Sequence, residues 1–140
     1  MRQPPKIDRV TYKDFDINMR IHPATGKLLI KKNDDAVKQA VKTMVLTNHY
    51  ERPFRPLFGG NVRKQLFENF NSLTSYSVKT DIELTIKNYE ANRTSLVGRP
   101  EQAITVTDSP DTGTLNVNVI FSVNNTLNNN NVQLSLSKVR

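Results

Sequence analysis

The residues that could carry chemistry are few, and their spacing is not typical of any common catalytic or metal site. The two histidines, His22 and His49, lie far apart, and neither has a second ligand at metal-binding spacing. The chain has no cysteine, which excludes a disulfide framework, thiolate catalysis and a cysteine-based zinc site. No Gly-x-Ser-x-Gly element is present. The sequence therefore predicts neither a metal nor a cofactor.

Acidic residues are numerous enough for glycoside hydrolysis, which needs two facing carboxylates roughly 5 to 9.5 Å apart. The candidates are Glu51, Glu68, Glu83 and Glu90. A chain of this length offers such a set by chance, and Glu68 and Glu83 fall on predicted helices, where solvated side chains are usual. A small muramidase is therefore an alternative function that the acidic residues neither favour nor exclude.

The charge is unevenly distributed along the chain. Of the formal net charge of +7, residues 1–65 supply +8, with 14 Lys/Arg against 6 Asp/Glu, and residues 66–140 supply −1, with 6 against 7. The basic half could face nucleic acid, an acidic protein or only solvent. Basic residues near Tyr50, Phe54 and Phe58 keep a nucleic-acid binding module open as a second alternative.

Length and composition predict one domain, 1–140, with an ordinary core and a flexible arm over residues 1–12. There is no apolar run long enough to cross a bilayer, and the first residues lack the apolar stretch of a signal peptide. A soluble protein of a cytoplasm is the expectation.

The first half predicts a β-hairpin followed by a helix. Ile17, Met19 and Ile21 alternate with polar residues, a turn follows at 22–27, and a second strand runs over 28–32. Asn33 or Asp34 can cap a helix that ends near Thr47. Its apolar face consists of Val37, Ala40, Val41, Met44 and Val45.

The second half predicts two helices and then strands. The first helix is capped by Asn61 and buries Val62, Leu66, Phe67 and Phe70; the second is capped by Thr74, buries Val78, Ile82, Ile86 and Tyr89, and ends near Glu90. Strands are predicted at 103–107 and 115–123 and from Val132 nearly to the end, with the last at a sheet edge. Segregated helices and strands favour an α+β fold with a small mixed or antiparallel sheet.

Proline and glycine are concentrated between the first two helices, beside two of the six phenylalanines. The segment contains Arg52, Pro53, Phe54, Pro56, Phe58 and Gly59. Prolines exclude a regular helix and glycines permit a sharp turn, so a rigid structural corner is predicted, with Phe54 and Phe58 as buried anchors. Gly59-Gly60-Asn61 before a helix could also hold an anion, although the rest of a phosphate-binding loop is missing.

The same segment begins a series of motifs that resembles the baseplate wedge and sheath-initiator family of contractile phage tails, which includes type VI secretion baseplate subunits. The series is Arg52-Pro53-Phe54-x-Pro56-x-Phe58-Gly59, Leu66-Phe67-Glu68-Asn69, Leu73-Thr74 and Ile86-x-Asn88-Tyr89-Glu90. The match is good over about residues 34–107 and looser through the last strands. Some members of this family are labelled lysozyme-like for historical reasons.

The resemblance implies a structural protein rather than an enzyme. Family members lie beside the tail tube in several copies around the baseplate, and they dock on a helical bundle of other wedge proteins through a Glu-Pro-Arg signature. The matching stretch here is Glu90-Ala91-Asn92-Arg93. Glu90 is matched, the proline is absent, and Arg93 stands one residue late.

The resemblance also implies a fold similar to the part of the tail sheath protein that links neighbours by exchanged strands. The corresponding segment would be the last strand, with Val132, Leu134 and Leu136. The implied partners are wedge proteins and tail sheath, without a membrane or a specific nucleic acid. The implied location is the virion tail baseplate, assembled in the host cytoplasm.

Overall fold

A computed structural model describes residues 11–68, 71–109, 113–124 and 129–137. The elements in chain order are β1 Lys13–Phe15, β2 Ile30–Lys32, α1 Asp34–Leu46, α2 Val62–Gln65, α3 Ser72–Tyr89, β3 Thr94–Leu96, α4 Pro100–Ala103, β4 Ile104–Ser109, β5 Thr114–Val123 and β6 Asn129–Ser137. The α+β class predicted from the sequence is confirmed, with an N-terminal hairpin, helices and an antiparallel sheet. No helix in the described part of the chain is long and apolar enough to cross a membrane.

The main sheet is built around β5, its longest strand. β6 runs antiparallel along one side of β5, from Ser122↔Asn129 to Thr114↔Ser137. β4 and β3 share the other side end to end, opposite residues 114–119 and 121–123 of β5 respectively. Within the described ranges β6 pairs only with β5, so the last strand forms one edge of the sheet.

The core lies between one face of this sheet and the helices α1 and α3. Alternation along β5 turns five apolar side chains inward: Leu115, Val117, Val119, Phe121 and Val123. They pack in one cluster with the buried faces of the two helices, which consist of Val37, Val41, Val45, Val78, Ile82 and Ile86. The helical periodicity in the sequence therefore identified the correct faces of both long helices.

The hairpin differs from its prediction, because no strand runs over residues 17–21. The ladder pairs Lys13–Phe15 with Ile30–Lys32, and only the bridge Ile21↔Leu28 continues it. The reason is a polar anchor at Asp16, which is buried and accepts a 2.6 Å hydrogen bond from Arg20 Nε. Buried Gln39 of α1 also donates to Phe15 O and accepts from Ile17 N. These long-range contacts override the local alternation.

Two details of the second half also differ. The cap of α3 is Asn71 rather than Thr74, because Asn71 Oδ1 accepts from Thr74 N at 2.8 Å. Phe67 is exposed rather than packed beside Leu66, since α2 ends after a single turn at Gln65. The expected position of Phe70 lies outside the described residues. β3 and α4 were not predicted.

The N-terminal arm predicted over residues 1–12 lies mostly outside the described residues. Its last residue, Tyr12, accepts a 2.8 Å hydrogen bond from Asn33 N and packs against the core. The start of the described chain is therefore attached where α1 begins.

Candidate functional site

Glu90 and Arg93 lie on the turn that joins α3 to β3. Glu90 N donates to Ile86 O at 2.8 Å, and Glu90 O accepts from both Arg93 N and Thr94 N at 2.9 Å. Arg93 O accepts from Asn124 N at 3.0 Å, directly after β5. The turn is thus held by the end of the long helix and by the sheet, which fixes the backbone of both residues.

The two side chains form an ion pair with unequal exposure. Arg93 Nη2 donates to Glu90 Oε1, and the Glu90 side chain is only 3% exposed whereas that of Arg93 is 40% exposed. Glu90 Oε2 is buried and has no hydrogen-bond partner among the described residues. Burial raises the pKa of Glu90, and the nearby Arg93 charge opposes that rise. The Arg93 guanidinium also lies 5.8 Å from the ring centroid of Tyr12, so a ring, a carboxylate and the turn orient it together.

The pair forms part of the wall of a shallow cavity of about 310 Å³, which we call the arginine basin. Its residues come from the hairpin, α1, the corner and the end of α3: Asp14, Ala40, Thr43, Met44, Arg52, Arg55, Phe58, Tyr89, Glu90 and Arg93. Three guanidinium groups and two carboxylates line it, a formal excess of one positive charge. The basin therefore suits a partner group that brings hydrogen-bond acceptors or a negative charge.

The corner contributes one wall of the basin through an aromatic stack. The rings of Phe58 and Tyr89 have centroids 4.7 Å apart at 60°, and the Arg52 guanidinium lies 4.2 Å from the Phe58 ring centroid. Phe58 is buried, as predicted. Phe54 is not a buried anchor: it is 97% exposed, because the turns around Pro53 and Pro56 direct it away from the helices.

Gly59 attaches the corner to both long helices. Its φ is +122°, and a Cβ there would lie 2.2 Å from Thr47 O at the end of α1. Gly59 O accepts hydrogen bonds from Thr85 Oγ1 of α3 at 3.0 Å and from His49 Nε2 at 3.1 Å. The backbone at Gly59 thus approaches α1 more closely than any side chain allows, so the segment holds α1 and α3 in a fixed relation.

Val132, Leu134 and Leu136 direct their side chains toward the core. Val132 and Leu134 are buried, and Leu136 is half-buried against the core cluster. Any pairing of β6 with another chain would therefore use backbone groups along its outer edge rather than these side chains.

The two histidines, His22 and His49, make local structural contacts. His22 Nδ1 accepts from Ala24 N in the hairpin turn, and His49 contacts the Gly59 carbonyl, so both histidines have structural contacts. No cluster of three His, Asp or Glu residues in the described ranges could hold a metal ion. Sequence reasoning did not bring Asp14 and Arg55 to the arginine basin, or Tyr12 to Arg93, because these contacts depend on the packing of the hairpin and the corner on α1 and α3.

Solved structures define the class to which this fold is similar. A protein of Geobacter sulfurreducens described as a tail lysozyme superposes with a TM-score of 0.67 at 16% identity, covering 81% of this chain and 98% of that one. The baseplate of the anti-feeding prophage contains a chain that superposes with a TM-score of 0.59 at 18% identity, covering 89% of this chain and 84% of that one. At these identities the likeness shows a shared fold.

Sequence similarity points to one particular relative. The chain is 35% identical over 88 residues to baseplate wedge protein gp25 of Enterobacteria phage T4, and the match covers 63% of this chain. The matched region spans 62% of the length of the phage protein. No family model matches the chain. The resemblance to baseplate wedge proteins that the motifs indicated is confirmed.

Proposed function

We propose that the protein is a structural component of a contractile-tail baseplate wedge and docks on other wedge proteins through the arginine basin. The observation that carries this proposal is the Glu90–Arg93 pair, with a half-exposed arginine held by a buried carboxylate in a basin with two further arginines. The similarity to a phage baseplate wedge protein supports the assignment. A preorganised arginine binds carboxylate or backbone acceptors with little loss of side-chain entropy.

The proposed partner is a helical bundle of wedge proteins beside the tail tube, with several copies of this chain around the baseplate ring. The protein is then located in the virion tail and is assembled in the host cytoplasm. Its role is positional: the basin fixes the sheet relative to the wedge.

The test is the double variant Glu90→Ala with Arg93→Ala, followed into purified tails by mass spectrometry and electron microscopy. We expect a folded variant that is absent from the particles. A matched control exists on the same helix, where Lys87 Nζ contacts Glu83 Oε1 at 3.2 Å in an exposed pair. Glu83→Ala with Lys87→Ala should be incorporated like the wild type. Normal incorporation of the folded Glu90/Arg93 variant would refute docking through this pair.

We further propose that the outer edge of β6 templates the first ring of tail sheath by strand pairing. Its support is that β6 pairs on one side only within the described ranges and that its backbone edge can accept another strand. Removing residues 137–140 deletes one pair, Thr114↔Ser137, out of nine, so the core pairing of β5 and β6 is retained. Tails carrying the truncated protein should contain complete wedges without sheath. Normal sheath on those tails would exclude this end of β6 as the template.

A further inference from the structure

The N-terminal hairpin exposes an unusual number of large apolar side chains. Each of six such residues within sixteen positions is between 43% and 65% exposed: Phe15, Ile17, Met19, Ile21, Leu28 and Ile30. Single exposed apolar residues are ordinary, whereas a cluster on one element marks an interaction surface. The arginine basin does not include any of the six.

Strand register places four of these side chains on one face. Phe15 pairs with Ile30 and Ile21 bridges Leu28, and residues directly opposite in an antiparallel pair lie on the same face. Leu28 and Ile30 are two residues apart, which keeps both pairs on that face. The neighbouring pair on this face is Lys13↔Lys32, with both lysines exposed. These three pairs together form what we call the hairpin face: Lys13, Phe15, Ile21, Leu28, Ile30 and Lys32.

The opposite side of the hairpin is attached to the body of the protein. Asp14 and Lys31 form the intervening pair, and Asp14 Oδ2 accepts from Gln39 Nε2 of α1. Lys31 Nζ lies 3.5 Å from the buried Asp16 carboxylate, which Arg20 also contacts. The hairpin face is thus held outward by a polar network, and it does not need to rearrange before it binds.

We propose that the hairpin face binds an amphipathic segment of another protein, with apolar side chains along its centre and acidic side chains at the end that meets Lys13 and Lys32. The apolar stripe ends in two adjacent cations, so an acidic end is the complement in both shape and charge. The formal net charge of +7 favours approach of an acidic partner. This inference rests on the hairpin and not on the proposed docking of Glu90 and Arg93.

Two other occupants fit less well. A second copy of this chain has no acidic residue on its own hairpin face to meet Lys13 and Lys32. A lipid surface would favour apolar side chains at the tip of the hairpin, but the tip is the segment His22-Pro23-Ala24-Thr25-Gly26-Lys27, without a large apolar side chain.

The test places a photoreactive benzoylphenylalanine at Ile30 of the full chain, in the cells that produce it, and maps the cross-linked residues by mass spectrometry. The same substitution at Tyr76, which is exposed on α3, reports adducts that come from exposure alone. We expect an Ile30 adduct, not shared with the Tyr76 variant, on a segment with an apolar face and acidic residues at one end. Lys13→Glu with Lys32→Glu should reduce its yield several-fold. Lys38→Glu with Lys42→Glu on α1 changes the net charge equally and should leave the yield unchanged.

Each other result overturns the proposal. These results are no adduct at Ile30, an adduct on lipid, an adduct on a second copy, an adduct on a segment without acidic residues, and a yield insensitive to reversal of Lys13 and Lys32. Because Glu90 and Arg93 are intact in these variants, a failure here leaves baseplate docking through the basin unaffected.

Discussion

At the scale of single residues, Glu90 is a buried carboxylate at the centre of the proposed docking site. Its carboxylate is buried, one oxygen receives Arg93, and the other has no hydrogen-bond partner in the described part of the chain. A buried carboxylate with one free acceptor costs stability unless a partner donates to it. Under the proposed docking, a donor from the partner chain would satisfy that oxygen and offset this cost.

This environment predicts the pH dependence of Glu90→Gln. The pKa of Glu90 is raised above its ordinary value of 4.5 in the folded state, so the native protein binds this proton more tightly than the unfolded chain does. The wild type should therefore gain stability relative to Glu90→Gln as the pH falls from 7 toward 4.5. Thermal melts of both proteins across this range measure the difference, in which the other titrating groups cancel. If the wild type instead loses stability relative to Glu90→Gln on acidification, Arg93 outweighs burial.

Asp16 and Phe54 show why residue roles were only partly predictable. Local spacing placed Asp16 just before a strand, whereas its contacts with Arg20 and Lys31 depend on how the hairpin folds back on itself. The adjacent Gln39 contacts depend on the packing of the hairpin onto α1. Phe54 matched the motif and the chemistry of a core residue, yet it is exposed. Glu90 and Arg93 were found by resemblance alone, because nothing in their spacing distinguishes them from a solvated pair.

At the scale of elements, the sequence predicts the long segments and misses the short ones. α1, α3 and β5 have enough residues to repeat a 3.6 or a 2.0 period several times. β3 has three residues and α4 has four, too few to show a period, and both exist because β5 and α3 provide their contacts. The corner has no period either, but its prolines and glycines identify it as a turn.

The corner predicts a large effect of one methyl group. Gly59→Ala would place Cβ against the Thr47 carbonyl at a positive φ, so α1 and the corner must separate. We expect a loss of more than about 2 kcal/mol in the free energy of unfolding. Gly26→Ala is the matched control, since its φ is +64° and a Cβ there meets nothing within 4 Å. It should cost only about 1 kcal/mol, the strain of a left-handed alanine. Urea denaturation measures both, and equal losses would show that close contact at Gly59 is unimportant.

At the scale of the whole molecule, the proposed contacts use three surfaces: the arginine basin, the hairpin face and the outer edge of β6. The arginine basin shares β1 with the hairpin face, through Asp14, and neither surface includes β6. The outward positions of β5 and β6 are largely Asn, Ser, Thr and Gln, without a charged residue in the described strands. The positive charge of the described residues is therefore concentrated away from β5 and β6, on the hairpin, the corner and α2, whereas α1 carries two Asp and two Lys.

The carboxylates and the size of the arginine basin argue against a muramidase, despite the lysozyme description of one structural relative. Asp14 and Glu90 both line the arginine basin, and the pKa of Glu90 is raised, as in a general acid. However, one Glu90 oxygen accepts from Arg93, and the side chain is only 3% exposed. The cavity of about 310 Å³ lies at the lower end of the range for small-molecule sites, and a glycan chain must pass through an open cleft.

Purified protein should therefore fail to clear a suspension of peptidoglycan at any pH between 4 and 8. A clearing reaction that disappears in Asp14→Asn and in Glu90→Gln, with both variants folded, would reverse this conclusion and identify the basin as a hydrolytic site. Clearing that survives both substitutions would come from a contaminant or from other acids. Glu51→Gln is the matched control, because Glu51 accepts from Asn48 N and lies outside the residues that line the basin. This substitution should leave any clearing by the basin unchanged.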